Sequence, residues 1–380
     1  MEKLTTMIPR LESIITGKDN LIPLYIFSNF PVFFGCVETL HEIDLVADME
    51  WVQCPESGVI QLRQLLPPEI LYQAQHMDGV GETWDAFYDT FTEYIVKKNP
   101  KNVLEIGGGN ACIAKKVVKN LPCVTWTIID PNPIELEFER IIMLKGFFDT
   151  SFFLDQHFDM IVFSHTLEHT YNPSDFLQAI RLLADKKTSI VFAYPHLKHW
   201  LQNKFTSALN FEHTYFLTDY FLEYLLTKSG FRIDDKKLFR GHSLLYTIKK
   251  SESTDNKLVF NNKFDEYRSI FLDFAYSYKR DATELNKKAK SFDGHVYLFG
   301  AHINSLYLLN SGLDSMNIEG VLDNSKLKQS KRLYGTPFIV YDPKIITAMK
   351  NIAIILKASP YRNEIAQQIH RLNSNAIIFE

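Results

Sequence analysis

The chain has 380 residues, of which 46% are hydrophobic and 13% aromatic, enough to bury the cores of two or three domains. Its formal net charge of −4 comes from interspersed charges of both signs, so no basic stripe indicates a nucleic-acid substrate. The composition therefore predicts a globular protein without nucleic acid as a partner.

Several features favour a cytoplasmic location. The first residues lack the basic and apolar pattern of a secretory signal. The richest early apolar run, residues 24–37, is interrupted by Ser28, Asn29 and Pro31 and is too short to span a bilayer. The four cysteines are scattered and form no disulfide framework. We expect a cytoplasmic protein without a membrane partner, either a monomer or a homodimer.

Hydrophobic patterns change twice along the chain. The first 65 residues predict short strands and loops, with the clearest strand at 59–62, and a helix is expected at about 83–97. Strands and helices then alternate from 101 to about 250, which predicts a mainly parallel sheet with helices on both faces.

The last third of the chain predicts a second, smaller unit. A long polar helical stretch at about 263–290 is expected to connect to a strand and turn at 295–301 and a strand ending in an acid at 318–323. The predicted organisation is an N-terminal substrate-side region at 1–92, the main α/β domain at 93–250, a helical connector at 251–289 and a C-terminal α/β domain at 290–380.

A glycine turn organises the main domain. The strand 103–106 runs into Gly107 and Gly109, where glycine permits a positive φ and lets a ligand approach the backbone. A helix with apolar spacing follows from Ala111, so its free amides point back at the turn. A dinucleotide site would require a small third residue, but Cys112 occupies that slot.

The turn is instead similar to the acidic-x-G-x-G pattern of class I S-adenosylmethionine (SAM) methyltransferases. Glu105 lies two residues before the first glycine, where a carboxylate suits the positive charges of SAM and repels a pyrophosphate. Asp130 ends the next strand and could accept both ribose hydroxyls. The alternative is an ordinary β-α-β turn in which Asp130 caps a loop.

A histidine-rich segment follows the strand at 158–164. The motif His165-x-x-Glu168-His169 also matches the inverted zinc-peptidase pattern, in which two histidines one helical turn apart bind a metal. That interpretation requires a long helix, whereas Asn172-Pro173 ends any helix within two turns. A further alternative is that His169 only caps or packs. The segment 211–216, which contains Glu212 and His213, can reach the same cleft because ligands collect beyond the carboxyl ends of parallel strands.

Three regions together resemble the SAM-dependent sugar C-methyltransferases that act on nucleotide-linked deoxysugars. The first is the glycine turn with Asp130, and the second is the Glu212-His213-x-Tyr215-Phe216 box with the strand start at 241–244. The third is the closing region, which contains the segments 299–301, 321–324 and 334–337. The resemblance implies an α/β fold with a class I methyltransferase Rossmann-like sheet, a small N-terminal region and a second, smaller C-terminal α/β domain.

The resemblance also implies a sugar nucleotide lying between the methyltransferase domain at 93–250 and the C-terminal domain. His213 would be the general base for an enolate that attacks the SAM methyl group, aided by Glu212 and by His169. His76 completes the expected catalytic set. The expected cofactor-binding residues are Glu105, Gly107, Gly109, Asp130 and His165.

Two departures from the family pattern leave other functions open. Only Cys54 remains of the family's four-cysteine zinc site, with Ser57 in its partner's slot, so no zinc and no metal ligands are expected. His76 and Asn210 stand where the family tends to carry tyrosines that could orient a keto oxygen. Sugar O-methylation is therefore an alternative, and a catalytically inactive binding protein with a methyltransferase fold is a second one.

Overall fold

The computed structural model describes residues 1–71, 81–251, 258–357 and 362–380. The N-terminal region begins with seven strands and leads into two helices. These elements are β1 (Glu2–Lys3), β2 (Ile8–Pro9), β3 (Ile22–Pro31), β4 (Cys36–Val37), β5 (Leu45–Gln53), β6 (Ile60–Leu62), β7 (Gln64–Leu65), α1 (Pro68–Leu71) and α2 (Glu82–Val96).

The N-terminal sheet is more extensive than the sequence predicts. β5 lies between β1 and β3 and also pairs with β6. β3 is ten residues long and β5 is nine, so the expectation of only short strands was wrong. The β3–β5 ladder shifts register twice, between Pro23 and Tyr25 and between Phe27 and Phe30. Such irregularities break the alternation of apolar and polar residues from which a strand is recognised.

The central region contains the largest sheet. Its elements are β8 (Asn102–Ile106), α3 (Cys112–Asn120), β9 (Thr125–Asp130), β10 (Ile141–Lys145), β11 (Met160–Ser164), α4 (Pro173–Leu183), β12 (Ser189–Pro195), α5 (Leu197–Gln202), α6 (Asp219–Lys228), β13 (Phe231–Phe239) and β14 (Ser243–Lys250). The strand order is β10-β9-β8-β11-β12-β14-β13. Only β14 runs against its neighbours. This arrangement confirms the class I methyltransferase Rossmann-like sheet.

The C-terminal region forms a second parallel sheet. Its elements are α7 (Phe264–Ser291), β15 (His295–Phe299), α8 (Ile303–Asn310), β16 (Gly320–Leu322), β17 (Arg332–Leu333), β18 (Val340–Tyr341), β19 (Ile352–Ile355), α9 (Arg362–Leu372) and β20 (Ile377–Phe379). Five strands are ordered β18-β16-β15-β19-β20. β17 instead pairs with β4, and Arg332 donates to both carboxylate oxygens of the buried Asp44. The C-terminal region is thus joined directly to the N-terminal one.

Two helices show how the regions pack. α2 shares a buried cluster with α3, including Phe87 and Val117, so the expected boundary at residue 93 falls inside a helix of the central core. α7, expected as a polar connector, buries one face, where Phe271 contacts Trp51 of the N-terminal sheet. Within the described ranges, no helix combines the length and apolar character needed to cross a bilayer.

Candidate functional site

The glycine turn lies at the carboxyl end of β8. Gly107 has a φ of +77°, and its amide donates to the Ile129 carbonyl at 2.9 Å. A Cβ on Gly107 would lie 2.7 Å from the Thr166 hydroxyl oxygen, and one on Gly109 would lie 2.9 Å from the Asp130 carboxyl. The positive φ of Gly107 favours glycine, whereas Gly109 leaves room for the Asp130 carboxyl. The strand-turn-helix expected from the sequence is confirmed.

Asp130 meets this turn because β8 and β9 are adjacent parallel strands. Its Oδ1 accepts a hydrogen bond from the Asn132 amide at 2.8 Å, and the residue is half-buried. A side-chain-free turn beside a carboxylate provides close backbone access and an acceptor for ribose hydroxyls. The residues present therefore fit SAM.

Glu105 lies beneath the turn and is only 2% exposed. Its Oε2 accepts a hydrogen bond from the Trp126 indole at 2.7 Å, and a Cβ on Gly108 would lie 2.4 Å from its carboxyl carbon. The carboxylate thus supports the turn from within the sheet.

His165 lies at the centre of a buried aromatic shell. Its φ is +51°, and its ring contacts Trp84 and Phe87 of α2. Burial lowers the pKa of His165 to about 3, so the ring is neutral. One nitrogen, Nδ1, lies 3.1 Å from Glu168 Oε1, while Nε2 lies 2.9 Å from Ser243 Oγ. Sequence reasoning included Ser243 in the strand start at 241–244 but assigned it no role.

His169 and His213 come together from segments 44 positions apart. Their ring centroids are 4.6 Å apart and their Nε2 atoms 3.4 Å apart. His213 Nδ1 donates to the Ser207 carbonyl at 2.5 Å, and His169 Nδ1 lies 3.9 Å from Glu212 Oε2. The two segments therefore meet at these histidine rings.

The electrostatics of this cluster are set by burial. Burial lowers the pKa of His213, and the carboxylates of Glu168 and Glu212 oppose that shift. Burial also raises the pKa of Glu168 to about 7, although His213 acts in the opposite direction. Glu168 was part of a motif in the sequence, yet its position beside His213 depends on tertiary structure.

The N-terminal sheet positions the His213 segment. The Leu62 amide donates to the Thr214 carbonyl at 2.8 Å, and the Phe216 amide donates to the Ile60 carbonyl at 2.7 Å. Arg10 donates to the Thr214 carbonyl at 3.0 Å, and burial lowers the Arg10 pKa to about 10. The segment therefore continues the sheet edge along β6, which fixes where His213 projects.

Asn210 and His76 occupy the two altered tyrosine positions. The Asn210 Oδ1 accepts hydrogen bonds from the amides of Glu212 and His213, at 2.7 and 3.0 Å. Asn210 thus forms the turn that precedes His213. His76 lies within 72–80, outside the described residues.

Cys54 packs in a small apolar cluster with Leu21 and Val52. The Ser57 hydroxyl accepts a hydrogen bond from the Val59 amide at 3.2 Å, so its lone pairs are directed to the backbone. In the described parts of the chain, the group of potential metal ligands consists instead of Glu168, His169 and His213. These three lie far along the chain from Cys54.

The C-terminal region approaches the same cleft through α8. The Tyr307 hydroxyl donates to the Leu209 carbonyl at 2.8 Å, and Thr206 hydrogen-bonds to Asn304. The segment before His213 is therefore supported from both sides.

Fold and site together define a methyltransferase that uses SAM. Residues 76–236 match the family model of a methyltransferase domain, and residues 248–379 match that of a C-methyltransferase C-terminal domain. Two consecutive parts of the chain are thus similar to a methyltransferase domain and to a C-methyltransferase C-terminal domain. No curated protein matches the chain.

Solved structures resemble the methyltransferase part at low identity. An O-methyltransferase family protein from Burkholderia thailandensis is 12% identical, with a TM-score of 0.37, over 44% of this chain and 57% of its own. Human N-acetylserotonin methyltransferase in complex with SAM is 18% identical, with a TM-score of 0.39, over 45% of this chain and 53% of its own. The match spans little more than half of these two proteins, and neither contributes to the assignment of a substrate.

Proposed function

We propose that this chain is a SAM-dependent C-methyltransferase that acts on a nucleotide-linked keto-deoxysugar, with His213 as the general base. The observation that carries the proposal is the hydrogen bond from His213 Nδ1 to the Ser207 carbonyl at 2.5 Å. A carbonyl can only accept, so the proton lies on Nδ1 and the lone pair lies on Nε2. The match of the last third of the chain to a C-methyltransferase domain supports carbon as the acceptor.

The cofactor end of the proposal rests on the glycine turn. Gly107 and Gly109 give access to the backbone, and Asp130 accepts the ribose hydroxyls. Glu105 contributes negative charge beneath the turn, toward the ammonium and sulfonium groups. His165, at the end of the neighbouring strand β11, borders the same site. Bound SAM supplies an electrophilic methyl carbon and leaves as S-adenosylhomocysteine.

In the proposed reaction, His213 removes a proton from the carbon next to the substrate ketone. The electron pair of that C–H bond forms the enolate, and the carbon becomes the nucleophile. The proton stays on His213 Nε2 as an imidazolium. Glu212 and His169 stabilise this cation because both lie beside the ring. The contribution of the chain is proton removal and the alignment of two substrates.

The sugar nucleotide is proposed to lie between the methyltransferase and C-terminal domains. Support comes from α8, whose Tyr307 hydroxyl bonds to the Leu209 carbonyl just before the His213 segment. His302 lies close enough to Glu212 for the carboxylate to affect its pKa. A substrate contacting both residues would connect the base with the second domain.

Sugar O-methylation is the second candidate. It is favoured by Asn210, whose side-chain oxygen is used by two backbone amides in a position where the related family tends to carry a tyrosine. A hydroxyl acceptor needs a base but no group to orient a keto oxygen. His213 would serve equally well as that base.

The test is a transfer assay with SAM carrying a ¹³C-labelled methyl group and a panel of nucleotide sugars, half with a ketone and half fully hydroxylated. We expect a product from the keto sugars whose labelled carbon shows the ¹³C chemical shift of a C-methyl group. An O-methyl shift would support the second candidate. Absence of transfer, combined with retained SAM binding, would favour an inactive binding protein instead.

A further inference from the structure

The cluster of Glu168, His169 and His213 has a feature that general base catalysis does not explain. The two Nε2 atoms face each other at 3.4 Å, while the outer nitrogen of His213 is hydrogen-bonded to a carbonyl oxygen. His213 Nδ1 donates to the Ser207 carbonyl, and His169 Nδ1 lies 3.9 Å from Glu212 Oε2. An outer nitrogen that donates to a carbonyl oxygen, as that of His213 does, is characteristic of histidines that bind a metal through the inner nitrogen.

The separation of the two inner nitrogens also fits a metal. Two nitrogens bound to one zinc ion at about 2.0–2.1 Å, in tetrahedral geometry, lie roughly 3.3–3.4 Å apart. The observed Nε2–Nε2 distance of 3.4 Å agrees with that value. Since the His213 proton lies on Nδ1, its Nε2 lone pair points at the place where a cation would lie.

The third donor is the carboxylate of Glu168, which is only 1% exposed. Its Oε1 lies 3.1 Å from His165 Nδ1, whereas Oε2 has no hydrogen-bond partner within the described part of the chain. Buried carboxylate oxygens normally have a partner, and a cation would provide one. One donor atom from each of the three residues lies within 4.8 Å of the others.

We infer that Glu168, His169 and His213 bind one transition-metal ion of the zinc class, with a fourth position open to water or substrate. Two imidazoles and a carboxylate suit Zn²⁺ or Co²⁺, whereas Mg²⁺ prefers oxygen ligands. The site differs from the zinc-peptidase pattern in the sequence, because His165 turns to Ser243 and His213 takes its place. It also differs from the Cys54 region, on which the expectation of no metal rested.

The metal and the substrate proton compete for the same lone pair of His213. The metal-bound protein therefore cannot use His213 as a base, and Zn²⁺ acts as a reversible inhibitor. This consequence rests on the proposed function, whereas metal binding itself does not. The chelator-treated protein is the active form.

The experiment titrates chelator-treated protein with Co²⁺ and follows the visible d–d absorption. We expect wild-type protein to bind one Co²⁺ and to develop the bands of a low-coordinate ion. His169→Ala, His213→Ala and Glu168→Gln should each weaken binding at least tenfold. His157→Ala is the control, because His157 lies on the surface near Asp185 and outside the cluster.

SAM binding and thermal unfolding of each variant show whether it is folded. Absence of Co²⁺ bands in wild-type protein, or bands that persist unchanged in His213→Ala, would overturn the metal site. Either result would leave the proposed methyl transfer standing, because the readout is absorption and not activity. A wild-type protein that binds Co²⁺ through the cluster, but whose chelator-treated form shows no methyl transfer, would instead remove the proposed function alone.

Discussion

The central and C-terminal sheets each contain a strand that leads into a glycine turn beside an aspartate, but the two aspartates make different interactions. In the first, β8 leads into the glycine turn, and Asp130 at the end of β9 lies against Gly109. In the second, β15 leads into Gly300, and Asp323 follows the neighbouring strand β16. Asp323 accepts hydrogen bonds from the Ala301 amide at 2.9 Å and from Lys328 at 3.2 Å.

The difference shows how one sequence pattern can serve a ligand or the fold. Asp323 links its own turn to a lysine, and its side chain is only 13% exposed. Asp130 accepts from an amide of its own loop and lies half-buried against Gly109. In both regions, the acid that ends one strand lies beside the turn that follows the neighbouring strand. Whether the acid serves a ligand or the fold depends on the residues around it. We accordingly expect chemistry in the first region and structural support in the second.

The largest expected effect is a difference in kcat between substitutions of a histidine in each region. His213→Gln should lower kcat for methyl transfer by about 10²–10⁴-fold, because a positioned general base is lost. The SAM dissociation constant, measured by calorimetry, should not change. The matched control is His295→Gln in the C-terminal sheet, where the histidine pairs with Glu319 on the surface. Equal losses in both variants would break the contrast between the regions.

The two acids should differ in what their removal affects. Asp130→Ala should weaken SAM binding roughly 10–100-fold, since a hydrogen bond to a charged group contributes about 1.5–3 kcal/mol. Asp323→Ala should leave SAM binding intact and lower the free energy of unfolding by about 1–3 kcal/mol, because Lys328 loses its carboxylate. Calorimetry and denaturant unfolding measure the two quantities. Weakened SAM binding in Asp323→Ala would show that the second turn also serves the cofactor.

The smallest expected difference is in the free energy of unfolding when alanine replaces a glycine in each turn. Gly107 and Gly300 both have positive φ values, +77° and +102°, so alanine at either costs about 1–2 kcal/mol. A Cβ on Gly107 also meets Thr166, whereas one on Gly300 has no atom within 4 Å. Moving Thr166 disrupts its hydrogen bond to the Ile106 carbonyl and adds about 0.5–1.5 kcal/mol. Denaturant unfolding that shows Gly300→Ala as the more damaging change would contradict this account.

Local patterns predicted the regular parts of the fold. The helix expected at 83–97 is observed at Glu82–Val96, and the strand expected at 103–106 is observed at Asn102–Ile106. Edge strands were harder to recognise. β10 and β13 were not predicted. Both are edge strands: β10 has five residues without alternating burial, and the middle of β13 is charged and continuously exposed. β13 also contains a register shift between Ile233 and Asp235, which breaks the alternation.

The site was only partly predictable because its geometry depends on backbone conformation. His165 and His169 belong to one motif, yet the φ of +51° at His165 and the short 3₁₀ turn at Leu167–His169 direct the two rings to different partners. The contact between Glu105 and Trp126 follows from strand register. Trp126 pairs with Val103, and Glu105, two residues after Val103, has its side chain on the same face of the sheet. The sequence alone does not specify that register.

The most direct measurement of the central claim is deuterium exchange into a keto sugar nucleotide in D₂O, with S-adenosylhomocysteine present so that no methyl group is transferred. The account predicts that wild-type protein exchanges the proton next to the ketone and that His213→Gln does so at least 100-fold more slowly, in the range expected for loss of a general base. Exchange at the wild-type rate in His213→Gln would contradict the assignment of His213 as the base.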